Sequence, residues 1–286
     1  MMITKERPGK LYIVSTPIGN LSDMTFRAVD ILKNVDLIAA EDTRHTSELL
    51  NYFEIKTKLT SYHEHNENEK ADKIIAKIEE GLNVAVVTDA GTPIISDPGN
   101  ILVKKAIEKD IFVSAVPGAC AAINALVLSG LSSENFIFVG FLSDDNKKRK
   151  KQLEKLKNET MTMIFYISPH SLKKDLEFLK ETFGERRQVS LSREMTKIHE
   201  ETIRGSFSEV IMYSANSTIR GEYVLVVEGI DGSLINEENI WDKMTIKEHF
   251  EHYLDKDFSE KEAIKMVAKD RNVDKNEVYK IIKARS

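Results

Sequence analysis

Between residues 10 and 130, short apolar runs alternate with helix-length amphipathic runs, and this alternation leaves few folds open to the chain. A strand-length apolar run, an amphipathic stretch and a further such run form the pattern of a parallel sheet with crossover helices. Strands are expected at 11–15, 36–40, 57–62, 83–88 and 111–115, with helices at 24–33, 46–53, 66–80 and 100–109. Gly81 stands where a helix ends before the fourth strand. A second α/β unit follows, with strands at 136–141, 161–167, 188–192, 200–205 and 222–228 and helices at 147–158, 172–183 and 207–213. Its consecutive strands near 190 and 202 read as a hairpin, so this sheet is expected to be mixed. The chain thus divides into an α/β domain at 1–132, a second at 133–230 and an all-α tail at 244–286, after a Gly- and Asn-containing linker at 229–239. In the tail, Ser259 with Glu262 and Asp274 with Glu277 each fit a helix start. The helices they open, 260–271 and 275–284, make a helix-turn-helix shape.

The balance of 41 Lys and Arg against 46 Asp and Glu excludes nucleic-acid binding by bulk charge and permits it through local basic patches. Residues 261–286 form one, with eight basic against four acidic side chains. The single cysteine, Cys120, excludes a disulfide framework and a Cys-rich zinc site, and fits a reducing cytoplasm. The uncharged stretch 111–133 is long enough to span a bilayer, but Pro117-Gly118 splits it into a short strand and an Ala-rich helix. A protein without a membrane segment is expected.

In an open α/β sheet, ligands bind beyond the carboxyl ends of the strands. All five strands of the first half run into unusual loops there. These are Ser15-Thr16-Pro17-Ile18-Gly19-Asn20, Glu41-Asp42-Thr43-Arg44, Tyr62-His63-Glu64-His65-Asn66, the stretch from Thr88-Asp89-Ala90-Gly91-Thr92-Pro93 to Asp97-Pro98-Gly99, and Pro117-Gly118-Ala119-Cys120-Ala121. Each alone could be turn chemistry; together they predict one cleft rich in Gly, Pro and carboxylates. No dinucleotide fingerprint follows the first strand and no phosphate-binding P-loop occurs. His63 and His65 lack the further ligands of a familiar metal set, so no metal is expected. The run Lys147-Lys148-Arg149-Lys150-Lys151 reads either as a solvated face or as a patch that contacts nucleic-acid phosphates.

These loops, in this order, resemble the bacterial 16S ribosomal RNA 2′-O-ribose cytidine methyltransferases of the tetrapyrrole-methylase fold. Gly140-Phe141-Leu142, Ser192-Arg193-Glu194-Met195-Thr196-Lys197 and Gly221-Glu222-Tyr223 extend the resemblance through the second half. It implies two α/β domains with S-adenosylmethionine in the cleft between them, a small C-terminal helix-turn-helix and a cytoplasmic homodimer. The implied reaction is methyl transfer to the ribose of a cytidine, cytidine 1402, in the decoding centre of the small ribosomal subunit. By position, the resemblance brings the cofactor against Pro17, Ile18, Asp89, Gly91, Thr92, Ile95, Cys120, Ala121, Tyr166, Arg193 and Glu222. Siroheme-type relatives carry Gly-Asp-Pro where this chain has Gly91-Thr92-Pro93, so the aspartate contact passes to Thr92 or to Asp89.

A neutral 2′-hydroxyl is a poor nucleophile, so a general base within reach would help. Asp42, His63 and Glu64 stand at strand ends and are candidates, although Asp42 could equally cap the next helix or pair with Arg44. Lys197 and Arg193 have the charge to hold an RNA phosphate beside the reacting ribose. Arg44, Lys147, Lys148, Arg149, Lys150 and Lys151 are candidate RNA contacts. Three other readings are a small-molecule tetrapyrrole methyltransferase, a helix-turn-helix regulator without catalysis and a nucleotide hydrolase. The first leaves the basic segments without a purpose, the second the five loops, and the third lacks a phosphate loop.

Overall fold

The computed structural model describes residues 8–215, 221–231, 244–256, 258–271 and 273–283. The chain forms two compact units, Met1–Gly229 and Ile230–Ser286.

In the first unit, β1 (Lys10–Val14), β2 (Leu37–Ala40), β3 (Leu59–Ser61), β4 (Val84–Val87) and β5 (Phe112–Val116) form a sheet in the order β3-β2-β4-β1-β5. All its pairings are parallel, so every strand ends at the same edge. Successive side chains leave a strand on opposite faces. Ala85 and Val87 of β4 therefore enter one core with α1 (Phe26–Asn34) and α2 (Thr43–Tyr52). Val84 and Val86 enter another with α3 (Glu67–Glu79) and α4 (Asn100–Glu108). Helix α2 begins three residues before the expected start because the Asp42 side chain accepts from Arg44 N and caps it.

Helix α5 (Ala121–Ser129) follows the last strand of this sheet but packs on the next one. Its Ala122, Ala125 and Leu126 meet Ile164, Val224 and Val226. The second sheet comprises β6 (Phe136–Phe141), β7 (Thr162–Ile167), β8 (Gln188–Arg193), β9 (Glu201–Ser206) and β10 (Tyr223–Val227), in the order β6-β7-β10-β8-β9. It is mixed, as expected: β6 and β7 are parallel and the other pairs antiparallel, including the β8–β9 hairpin. Its other face is covered by α6 (Asn146–Leu156), α7 (Leu172–Phe183) and α8 (Phe207–Ala215). The expected boundary at 132/133 falls between β5 and β6 in sequence, but α5 on its near side packs on the second sheet, and both sheets lie in the first unit. Most of the expected linker at 229–239 lies outside the described residues.

The second unit holds α9 (Ile246–Leu254), α10 (Glu260–Asp270) and α11 (Lys275–Lys283) around Phe250, Tyr253, Ala263, Val267 and Val278. Ser259 and Glu262 make the reciprocal cap read from the sequence, and Thr245 with Glu248 makes another. At Asp274 the side chain accepts from Asn276 N instead. Among the described residues no helix is long and apolar enough to cross a membrane.

Candidate active site

Three loops at the ends of β1, β4 and β5 are stitched together. Thr16 and Gly91 exchange main-chain hydrogen bonds of 2.8 and 3.1 Å, and Thr16 Oγ1 donates to Thr88 O at 3.1 Å. Thr92 Oγ1 donates to Ala119 O at 3.0 Å, with Ser15 Oγ 3.1 Å away. The Thr92 hydroxyl is thus a tie between loops as well as part of the cavity wall. Gly91 sits at φ +87°, and a Cβ there would lie 3.3 Å from Ile18 Cγ2. Only a glycine takes that backbone shape without strain while leaving the surface open.

Over this shelf lies a cavity of about 410 Å³, in the size range of small-molecule sites. The first sheet contributes Ile18 beyond β1, Glu41 beyond β2, Asp89 to Thr92 and Ile95 to Asp97 beyond β4, and Cys120 and Ala121 at the start of α5. The second sheet contributes Phe141 at the end of β6, Tyr166 of β7, Glu194, Met195 and Lys197 beyond β8, and Glu222 before β10. Because β10 runs antiparallel to β7 and β8, its start and their ends share one edge. Tyr166 packs edge-on against Phe138 and Phe141, at 5.0 and 5.4 Å between ring centres.

The cavity is strongly acidic. Five carboxylates, Glu41, Asp89, Asp97, Glu194 and Glu222, face a single described lining cation, Lys197, which Glu194 holds at 3.0 Å. Burial, reinforced by the charges of Glu41, Asp89 and Glu222, pushes the Asp97 carboxyl up to about 6 against an opposing hydrogen bond from Thr88. The single Thr88 hydroxyl hydrogen is shared with Glu41, to which Thr88 Oγ1 donates at 2.7 Å, and Asp89 accepts from Asp42 N at 3.1 Å. Burial also pushes the Tyr166 phenol up to about 12. Such a pocket suits a cation with apolar parts. Backbone strain concentrates in the two loops that flank it. Ile94, Ser96, Glu194 and Thr196 all have positive φ, from 50 to 79°, and a branched residue such as Ile94 takes this shape only when its surroundings impose it.

The expected cofactor residues Ile18, Asp89, Gly91, Thr92, Ile95, Cys120, Ala121, Tyr166 and Glu222 all line the cavity, as does Lys197. Pro17 lies in the shelf without lining it, and Arg193 is turned to β9, where its Nε meets Glu201 at 2.7 Å. Asp42 is a helix cap. Hydrogen bonds from the Arg44 guanidinium and backbone hold its carboxyl down at about 2. His63 stands at the outer strand β3, one strand beyond β2, and its ring lies 2.9 Å from Asn66 Nδ2. Four of the five strand-end loops therefore build the cavity, and the loop after β3 stays outside it. The basic run also divides. Lys147, Lys148, Lys150 and Lys151 are exposed, whereas Arg149 is 3% exposed, donates to Ser143 O at 2.8 Å and pairs with buried Asp175 at 3.6 Å. A buried arginine with these partners is no RNA contact. Glu41, Asp97, Phe141, Glu194 and Met195 also line the cavity; each stands in a loop or motif read from the sequence, but none was an expected cofactor contact. Alternation beyond β2 sends Glu41 and Asp42 to opposite sides, but nothing in the sequence says which side is the cleft. Among the described residues no group of three or more His, Cys, Asp and Glu is placed to hold a metal ion.

A family model described as Tetrapyrrole (Corrin/Porphyrin) Methylases matches residues 10–211, which hold the whole first sheet and β6 to β9 of the second. This chain belongs to the tetrapyrrole methylase family. The relative named ribosomal RNA small subunit methyltransferase I in Bacillus subtilis is 51% identical over 276 residues, 96% of this chain and 94% of that protein. The protein of the same name in Synechocystis is 42% identical over 276 residues, 96% of this chain and 97% of that one. Among solved structures, a uroporphyrin-III-C-methyltransferase from Thermus thermophilus superposes with a TM-score of 0.56 at 21% identity, covering 77% of this chain and 94% of that one. A cobalt precorrin-4 methyltransferase gives 0.55 at 16%, with the same coverage. At such identities these two structures show the shared fold alone. Methyltransferases of this family use S-adenosylmethionine. It is a sulfonium cation, and the acidic cavity with an open glycine shelf fits it.

Proposed function

We propose that this chain transfers the methyl group of S-adenosylmethionine to the ribose 2′-oxygen of a cytidine, cytidine 1402, in the 16S RNA of the small ribosomal subunit. The observation that carries the reading is the 42–51% identity, over 96–97% of the chain and including the tail, to proteins named as small-subunit rRNA methyltransferases. The cavity supports the methyl-donor half. Gly91 and Ala121 leave room for close approach, Ile18 adds an apolar wall, and Asp89, Asp97, Glu41 and Glu222 offset the charge of a cation. When bound, the cofactor supplies a methyl group activated by its positive sulfur.

Displacement of that kind is in line, so the chain's main task is to align two reactants. The stitched loops are suited to it because their hydroxyls and amides already hold one another. Lys197, fixed by Glu194, is the lining cation available to a phosphate or to the 2′-oxygen of an incoming RNA. Asp42 is a weak base with its oxygens occupied by Arg44, so its replacement by alanine is expected to spare the single-turnover rate. The homodimer and the cytoplasmic setting belong to the same proposal. The test uses isolated small subunits and S-adenosylmethionine labelled in its methyl group, with the label then located by nuclease digestion. Label on a cytidine ribose is expected; label on a base, or none in RNA, refutes the reading.

A further inference from the structure

Strand β6 is the outer strand of the second sheet, and between it and α6 lies an open groove of about 460 Å³. Ile137, Val139 and Leu156 give it an apolar floor, with Phe138 at its rim, and Lys148, Lys151 and Lys155 stand along it from the helix. Steps of three and four residues set these lysines in one stripe. Among the described residues none of the three is in a salt bridge, while neighbouring Arg149 turns inward to Asp175. The groove also leads somewhere. Val139 is two residues, about 7 Å along a strand, from Phe141, which lines the acidic cavity.

The shape and charge discriminate between occupants. An added protein strand needs an unbroken run of backbone groups, but β6 shifts register between Phe138 and Gly140, and Gly140 sits at φ +74°. Such a bulge blunts a sheet edge. A second copy of this face would bring the same three ammonium groups against these. A single nucleic-acid strand carries phosphates for the lysines and flat apolar bases for the floor. We propose that this groove holds a single-stranded stretch of the RNA substrate and feeds it towards the cavity at Phe141. The proposal rests on the RNA reading above.

The test measures binding of an RNA fragment containing the target cytidine as a function of salt. The triple variant Lys148→Gln/Lys151→Gln/Lys155→Gln is expected to lower the log–log slope by about 2, from three single-strand contacts of roughly 0.7 each. Lys147→Gln/Lys150→Gln, outside the groove lining, is expected to lower it by less than half as much. Irradiation of bound RNA carrying 4-thiouridine should crosslink to 137–139 or 152–156. An unchanged slope in the triple variant of a protein that still methylates small subunits overturns the groove alone, as do crosslinks confined elsewhere. A wild-type protein that neither binds nor methylates the RNA overturns the RNA reading and the groove with it.

Discussion

Replacing Arg149 with alanine is expected to destabilise the first unit without touching the RNA grip. Arg149 and Asp175 are 3% and 6% exposed, and their charged groups lie 3.6 Å apart. The guanidinium also donates to the carbonyls of Ser143 and Asp144, at 2.8 and 3.3 Å, and lies 4.8 Å from the centre of the Phe178 ring. Alanine would leave a buried carboxylate without its counter-charge and two carbonyls without donors. Breaking a buried pair from one side costs about 3–5 kcal/mol. For a unit of this size that corresponds to a fall in melting temperature of roughly 6–20 °C. Thermal unfolding followed by circular dichroism reads it, with Lys148→Ala on the same helix as a comparison expected within about 0.5 kcal/mol of the wild type. Removing the stranded charge in Arg149→Ala/Asp175→Leu should recover part of the loss, because an apolar pair can replace a buried ionic one. The reasoning fails if Arg149→Ala melts with the wild type and its RNA binding becomes less salt-dependent, since the arginine would then be facing phosphates.

Gly91→Val is expected to abolish S-adenosylmethionine binding in calorimetry, with a lower melting temperature from its strained backbone but the fold kept in circular dichroism, because its side chain would fill the space beside Ile18; a variant that binds normally would remove Gly91 from the cofactor surface. With the Asp97 carboxyl at about 6, a cationic ligand loses a favourable charge as pH falls through that value, so cofactor affinity should drop below about pH 6. Asp97→Asn should flatten that profile, and an identical profile in the variant would exclude this carboxyl as its source. In the tail, burial and the Arg271 guanidinium hold His249 below its ordinary 6.5, against the pull of Asp270. The fold therefore favours neutral His249, and its contribution is complete above pH 6.5 and lost as pH falls below it. Amide spectra of the helical tail should show loosening between pH 7 and pH 5; a tail equally ordered at both would refute this.

The fold was legible wherever a rule of spacing applied. Short apolar runs located strands such as β4, which is buried on both faces, and the apolar pattern of α7 located that helix to the residue. The end of β2 shows where spacing stops helping. Glu41 and Asp42 are equally acidic neighbours, and the choice between cleft and cap depends on a second sheet distant in sequence. Arg149 is the same case on a helix. Within a run of lysines it reads as surface charge, and only the position of Asp175 on α7 turns it inward. His63 was misplaced for a topological reason, since the strand order β3-β2-β4-β1-β5 puts its loop at the rim. The resemblance carried what spacing could not, including Tyr166 and Glu222, which face the cavity from the second sheet.

The docking of α5 on the second sheet sets an order on how the protein is made. During synthesis the first sheet can close both its faces once β5 has left the ribosome, since its helices are already present. Ala122, Ala125 and Leu126 cannot be covered then, because Val224 and Val226 are still untranslated. About 100 residues must follow, which at cellular rates takes roughly 5–20 s. Over that interval an apolar helix stands open at the future floor of the cavity, and the acidic wall at Glu222 does not yet exist. A nascent chain halted before Glu222 and β10 should therefore expose hydrophobic surface and hold no cofactor, even though eight of the nine expected cofactor residues that line the cavity have already been made.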